Sequence, residues 1–181
     1  PEGIFLSHFV LTCTNCYAEH GADMRTLACT ACGSTLKVDY AEPISADGDL
    51  PLPLHVRPAT VTLGEGDTPT VRLPRAGAAA GVEHLYAKLE YANPTGSFKD
   101  RGSAVMMSAA VEHGVTEIVE DSSGNAGASV SAYAGRAGII AHVFAPANAP
   151  EAKLQQIKVY GAQTHSIEGP REATTQAAID Y

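Results

Sequence analysis

Lys99 stands in the string Asn93-Pro94-Thr95-Gly96-Ser97-Phe98-Lys99-Asp100-Arg101-Gly102, where a loop of small and turn-forming residues runs into an apolar helical stretch from Ala104 to Val111 that closes at Gly114. A helix N-terminus carries partial positive charge, which disfavours an ammonium and favours the neutral amine. Such an amine is a nucleophile able to form a Schiff base with a carbonyl. A second string, Asp121-Ser122-Ser123-Gly124-Asn125-Ala126-Gly127-Ala128-Ser129, offers hydroxyls, an amide side chain and, through Gly124, close backbone approach at another helix start. That combination suits a carboxylate or a phosphate. Neither string is a nucleotide fingerprint. Gly124 and Gly127 lack the third glycine of a dinucleotide loop, and Gly96 stands too close to Lys99 for a P-loop.

A third constellation lies earlier. Cys13-Thr14-Asn15-Cys16 and Cys29-Thr30-Ala31-Cys32 are two pairs at knuckle spacing, with Gly33 directly after the second. Cys13, Cys16, Cys29 and Cys32 can offer four thiolates at the corners of a tetrahedron, the arrangement of a structural zinc ion with no open coordination position. A module this short builds little core, so a metal staple has a physical reason to exist. Two disulfides, or a ribbon without metal, are the alternatives. Disulfides are disfavoured in a cytoplasmic protein. The ribbon is a poor nucleic-acid finger: Arg25 and Lys37 face Glu19, Asp23 and Asp39.

These residues need elements to position them. Residues 1–40 read as the cysteine module, 41–61 as a connector rich in proline (Pro43, Pro51, Pro53, Pro58), and 62–181 as an α/β region. From His84 the chain alternates. Strands are predicted over His84–Leu89, Val115–Val119, Ile139–Phe144 and Gln163–Ile167, the third apolar on both faces. Helices are predicted after Lys99, after Asn125 to near Gly138, over Pro150–Tyr160 and after Pro170. Strand, loop and helix repeated in this way predict an open parallel sheet flanked by helices, with ligands at the carboxyl ends of its strands.

Composition bounds the function. The 181 residues carry 12 Lys and Arg against 20 Asp and Glu, a net charge of −8, which argues against nucleic acid or an anionic membrane as partner. No stretch reads as a signal peptide or a bilayer span, so a cytoplasmic protein is expected. The chain starts without Met, and no Gly, Asn or Pro closes the helix running to Tyr181, so it reads as a piece of a longer protein.

Gly64-Glu65-Gly66-Asp67-Thr68-Pro69, the lysine string and the Ser122–Ser129 string, in this order behind a cysteine ribbon, resemble the threonine synthases, a family of fold-type II pyridoxal-phosphate enzymes. The resemblance runs from about Cys13 to Tyr181. It implies that Lys99 holds pyridoxal phosphate as a Schiff base and then serves as acid and base. It implies further that Asn125 hydrogen-bonds the phenolic oxygen, that Phe98 packs near the ring, that Ser122, Ser123 and Gly124 hold the carboxylate of a small amino-acid substrate, and that Thr68 stands near that substrate. The implied reaction converts O-phosphohomoserine and water to threonine and phosphate. A serine/threonine dehydratase or a cysteine or cysteate synthase would share Lys99 and the asparagine loop, and a non-catalytic amino-acid-binding scaffold is a reading from another class. The family's glycine-rich phosphate loop and pyridine-nitrogen partner are not recognisable here, so an incomplete active site is expected. A homodimer is carried as the assembly to test. Each residue also has a plainer use: Asp100 and Arg101 as braces of the helix start, Asn125 as a cap, Phe98 and His142 as core.

Overall fold

A computed structural model describes residues 9–21, 26–40 and 59–181, which fall into two units, Pro1–Arg57 and Pro58–Tyr181. The proline-rich connector expected over 41–61 lies, apart from residues 59–61, outside the described residues.

In the first unit, strand β1 (Phe9–Cys13) pairs antiparallel with β2 (Glu19–His20) on one side and β3 (Leu36–Tyr40) on the other. Two tight turns deliver the cysteines. The N–H of Tyr17 donates to the carbonyl of Cys13 at 3.2 Å, and that of Gly33 to Cys29 at 2.8 Å. Gly33 sits at φ 73°, a left-handed conformation that glycine adopts without cost. Cys13 and Cys29 are the buried apolar side chains among this unit's described residues. Hydrophobic burial alone therefore contributes little here.

The second unit is organised on a parallel sheet of order β6-β7-β8, formed by Glu117–Glu120, Ile140–Pro146 and Gln163–Ile167. The central strand β7 is buried from Ala141 to Ala145, as its run of apolar residues requires. Four helices accompany it: α2 (Lys99–Glu112), α3 (Asn125–Ala137), α4 (Glu151–Val159) and α5 (Arg171–Asp180). The core joins Met107 and Ala110 of α2 to Val130, Tyr133 and Ala134 of α3 and Ala141 of β7. A second cluster gathers Ala128, Val143 and Ile157. Small residues along α3 let the helix lie close on β7. Among the described residues no helix is long and apolar enough to cross a membrane.

One feature differs from the sequence expectation. The strand expected over His84–Leu89 is β5 (Tyr86–Lys88), and it pairs antiparallel with β4 (Thr70–Arg72) outside the parallel sheet, with helix α1 (Pro74–Ala80) between them. Its residues are mostly exposed, with Tyr86 55% accessible, and such a strand cannot serve inside a sheet covered on both faces. Helix α2 starts at Lys99 itself, so Asp100 to Ser103 fill its first turn.

Candidate active site

Asn125 opens α3 directly after β6, and α2 ends just before β6 begins. The N-termini of both helices therefore lie toward the carboxyl edge of the sheet, where such folds bind ligands. Lys99 is exposed, and its Nζ lies 5.0 Å from the centroid of the Phe98 ring, itself 57% accessible. No hydrogen-bond partner of that Nζ occurs among the described residues. The lysine's backbone is held instead, its N–H donating to the buried Ser97 hydroxyl at 3.1 Å. Asn125 is exposed at the first position of α3, and its amide has no protein partner among the described residues. An amine and an amide without hydrogen-bond partners among the described residues, and an exposed aromatic ring that the amine overlies, thus stand at these helix starts. They fit a pyridoxal cofactor.

The Ser122–Asn125 loop is shaped by its own atoms. Ser122 Oγ accepts the N–H of Gly124 at 3.3 Å, and Ser122, Ser123 and Gly124 are each half-buried. The carbonyl of Ser122 lies where a side chain at Gly127 would begin. Asp121, just before the loop, accepts the Thr175 hydroxyl at 2.6 Å and pairs with Arg171 at 3.0 Å. The Thr175 bond, together with Arg171, holds its carboxyl below the usual range despite partial burial. Helix α5 thereby clasps the start of the loop. Sequence reasoning missed this clasp, because nothing in the order of residues brings 121 to 171 and 175. Glu120, also at this edge, has its carboxyl pushed up by burial and by Asp121, with Lys99 and Arg171 pulling the other way.

Thr68 is buried, and its hydroxyl is engaged twice, donating to Glu90 at 2.9 Å and accepting from Arg101 at 3.0 Å. Arg101 also grips Glu90 with two N–H groups, at 2.8 and 2.9 Å. That guanidinium holds the Glu90 carboxyl down to about 2, with help from Thr68 and Asn93. Asn93 completes the join, accepting the Gly66 N–H at 3.1 Å and donating to the Glu90 carbonyl at 2.7 Å. Lys88 donates to the Thr68 carbonyl. Gly66 at φ 97° and Asp67 at φ 44° set the turn. Glu65 reaches the other way and accepts the buried Tyr133 hydroxyl at 2.6 Å. Burial opposes its ionisation, but the Tyr133 bond and local N–H donors hold its carboxyl below the usual range. The Gly64–Pro69 turn is thus bound to α2 and α3. Arg101 braces this turn from the start of α2.

His142 is a satisfied core residue. Its Nδ1 lies 3.2 Å from His165 and its Nε2 3.2 Å from Glu117.

In the first unit the sulfurs of Cys13, Cys16, Cys29 and Cys32 all lie within 4.8 Å of one another. Cys13 and Cys32, Cys16 and Cys29, and Cys16 and Cys32 each stand 3.5 Å apart. Sulfurs about 2.3 Å from a tetrahedral zinc would be about 3.8 Å apart, so the set fits the ion. Backbone N–H groups of Cys16 and Asn15 donate to Cys13 Sγ at 3.4 and 3.3 Å, and these bonds hold its thiol below its ordinary value. Ser34 holds that of Cys32 down to about 5. Such donors favour at Cys13 and Cys32 the thiolate a metal requires, whereas the neighbouring cysteine side chains push the Cys16 thiol up to about 12. His20 Nε2 lies 3.3 Å from Cys29 Sγ.

A family model described as pyridoxal-phosphate dependent enzyme matches residues 61–181. The threonine synthase of Bacillus sp. (strain ULM1) is 43% identical over 119 residues, 65% of this chain and 34% of that protein. The threonine synthase of Methanosarcina acetivorans is 35% identical over 175 residues, 88% of this chain and 42% of that protein. The chain therefore spans well under half the length of these curated relatives. Among solved structures, maize serine racemase superposes with a TM-score of 0.58 at 31% identity, covering 62% of this chain and 34% of that one. With the family match running over most of its length, and with the strands, helices and exposed lysine just described lying inside the matched residues, this chain belongs to the pyridoxal-phosphate dependent enzymes.

Proposed function

We propose that this chain carries the amino-terminal part of a threonine synthase, which converts O-phosphohomoserine and water to threonine and phosphate. The supporting observation is the similarity to the Methanosarcina acetivorans threonine synthase, which extends over 88% of the chain and so reaches beyond residues 61–181.

Pyridoxal phosphate, when bound, supplies a carbonyl for the lysine amine and an electron sink for the substrate's carbons. Lys99 Nζ would hold it and move protons, standing exposed at the first position of α2. Asn125 orients it by hydrogen bond, and Phe98 packs against its ring. Ser122, Ser123 and Gly124 bind and orient the substrate carboxylate at the N-terminus of α3. Thr68 lines the substrate side, held rigid by Glu90 and Arg101. The cysteine unit takes zinc as a structural staple. The whole site needs the glycine-rich phosphate loop and pyridine-nitrogen partner not recognisable here, so the 181 residues alone bind cofactor weakly and turn over little.

The likeness to maize serine racemase favours a second reading, an enzyme acting on serine or threonine, such as a dehydratase. The test offers O-phosphohomoserine, threonine and serine separately to the natural gene product with pyridoxal phosphate. Phosphate and threonine from the first substrate establish the synthase. Keto acid from serine or threonine alone assigns the second reading, and silence from all three rejects both.

A further inference from the structure

Asp100 is fully buried, yet no Lys, Arg or His forms an ion pair with it among the described residues. A carboxylate so placed is costly unless neutral donors surround it. The Thr95 N–H donates to Oδ2 at 2.7 Å, the Thr95 hydroxyl to Oδ1 at 2.5 Å, and the Ser129 hydroxyl to Oδ1 at 2.6 Å. Ser129 is itself buried and lies 2.7 Å from the hydroxyl of Ser103, one turn along α2. Thr95 is also held at its carbonyl by Gln156 of α4, at 3.1 Å.

The two ends of this arrangement are informative. Thr95 belongs to the loop that leads into Lys99, and Ser129 lies one turn beyond Asn125 on α3. A salt bridge could have neutralised Asp100 from one side only. Donors from the loop and from α3 instead tie two separate pieces of backbone to one carboxylate carried by α2, in a region where such bonds are strong and directional. We infer that Asp100 is a positioning residue that fixes the backbone of Lys99 relative to Asn125 through Thr95 and Ser129, and so sets where the lysine amine meets a carbonyl ligand. The inference rests on the proposed role of Lys99 for its consequence, although the clamp itself does not.

The test uses D100A, S129A and D100N in the natural gene product. Asn keeps one acceptor for the Thr95 N–H, and the two hydroxyls can rotate to accept from its amide. Amide hydrogen exchange is measured by peptide, together with borohydride trapping of pyridoxal phosphate on the Lys99 peptide and the melting temperature. D100A and S129A are expected to speed exchange over residues 95–99 about tenfold relative to β7, where only global opening exposes amides. Trapping at Lys99 should fall in step, with D100N recovering part of both. A lowered melting temperature with unchanged exchange over 95–99 and unchanged trapping would overturn the clamp and leave Asp100 as a core group only. S129A, which leaves α2 intact, decides the matter should D100A fail to fold. Absence of any wild-type adduct on Lys99 would count against the cofactor role, and the exchange arm, which needs no cofactor, would still decide the clamp.

Discussion

A Cβ placed on Gly127 would stand 1.8 Å from the carbonyl oxygen of Ser122. Helix α3 and the loop that precedes it therefore touch through backbone alone. The contact lets the first turn of α3 fold back over Ser122 and Ser123, where the proposed carboxylate cradle lies. G127A must push the loop away or tilt the helix, since the atoms it would meet first belong to the Ser122 backbone. The expected cost is about 1–3 kcal/mol or more, as for overpacking of a close-packed site. Urea denaturation measures it, and a variant as stable as the wild type with equal cofactor binding would refute the contact's importance.

Asn125 should separate fold from chemistry. Its side chain is exposed and makes no protein hydrogen bond among the described residues. N125A is expected to change stability by less than about 0.5 kcal/mol, the usual range for such a surface site. The absorbance of the cofactor imine should shift and the rate should fall. An unaltered spectrum would remove Asn125 from the site.

The clasp of Asp121 by Thr175 and Arg171 predicts a split in kinetic constants. T175V or R171Q frees the start of the Ser122–Asn125 loop without touching Lys99. The substrate KM should rise severalfold, while cofactor loading stays near wild type. Equal loss of both would mean that the clasp supports the fold as a whole.

Arg101 and Glu90 give a pH signature. The folded state holds Glu90 down to about 2, against an ordinary value of 4.5. Stability from this pair is complete above the ordinary value and drains as pH falls toward about 2. R101M removes the cause, so the variant should lose less stability than the wild type over that acid window. Denaturant midpoints from pH 6 down to 2 make the comparison; parallel curves would show that the pair carries no linkage.

Replacing Cys13 and Cys16 with Ser should release zinc and loosen the first unit, since two of four thiolates are lost. Metal content and exchange of β1 amides report the change, while trapping of cofactor on Lys99 should persist. A wild-type ribbon that takes up no zinc would end the staple reading.

Much of this molecule is legible along the chain because its signals are local. The knuckle spacing of Cys13, Cys16, Cys29 and Cys32, the apolar run that becomes β7, and the glycines that close α3 and α4 each act within a few residues of themselves. So does the placement of Lys99 and Asn125 at helix starts, since a turn-forming string followed by helix formers is enough to specify it. What pairs with what was not legible. The order of residues marked β5 as a strand, but only its antiparallel partner β4 set it outside the parallel sheet. Asp100 with Ser129, Glu65 with Tyr133, Thr68 with Arg101 and Asp121 with Thr175 are separated by 29 to 68 residues in the chain. Hydrogen bonds of that range depend on how helices stack on the sheet, and burial makes each of them obligatory only once the stack exists. Sequence alone thus determined which groups stand at the helix starts, and tertiary packing decided how rigidly, and against which neighbours, they are held.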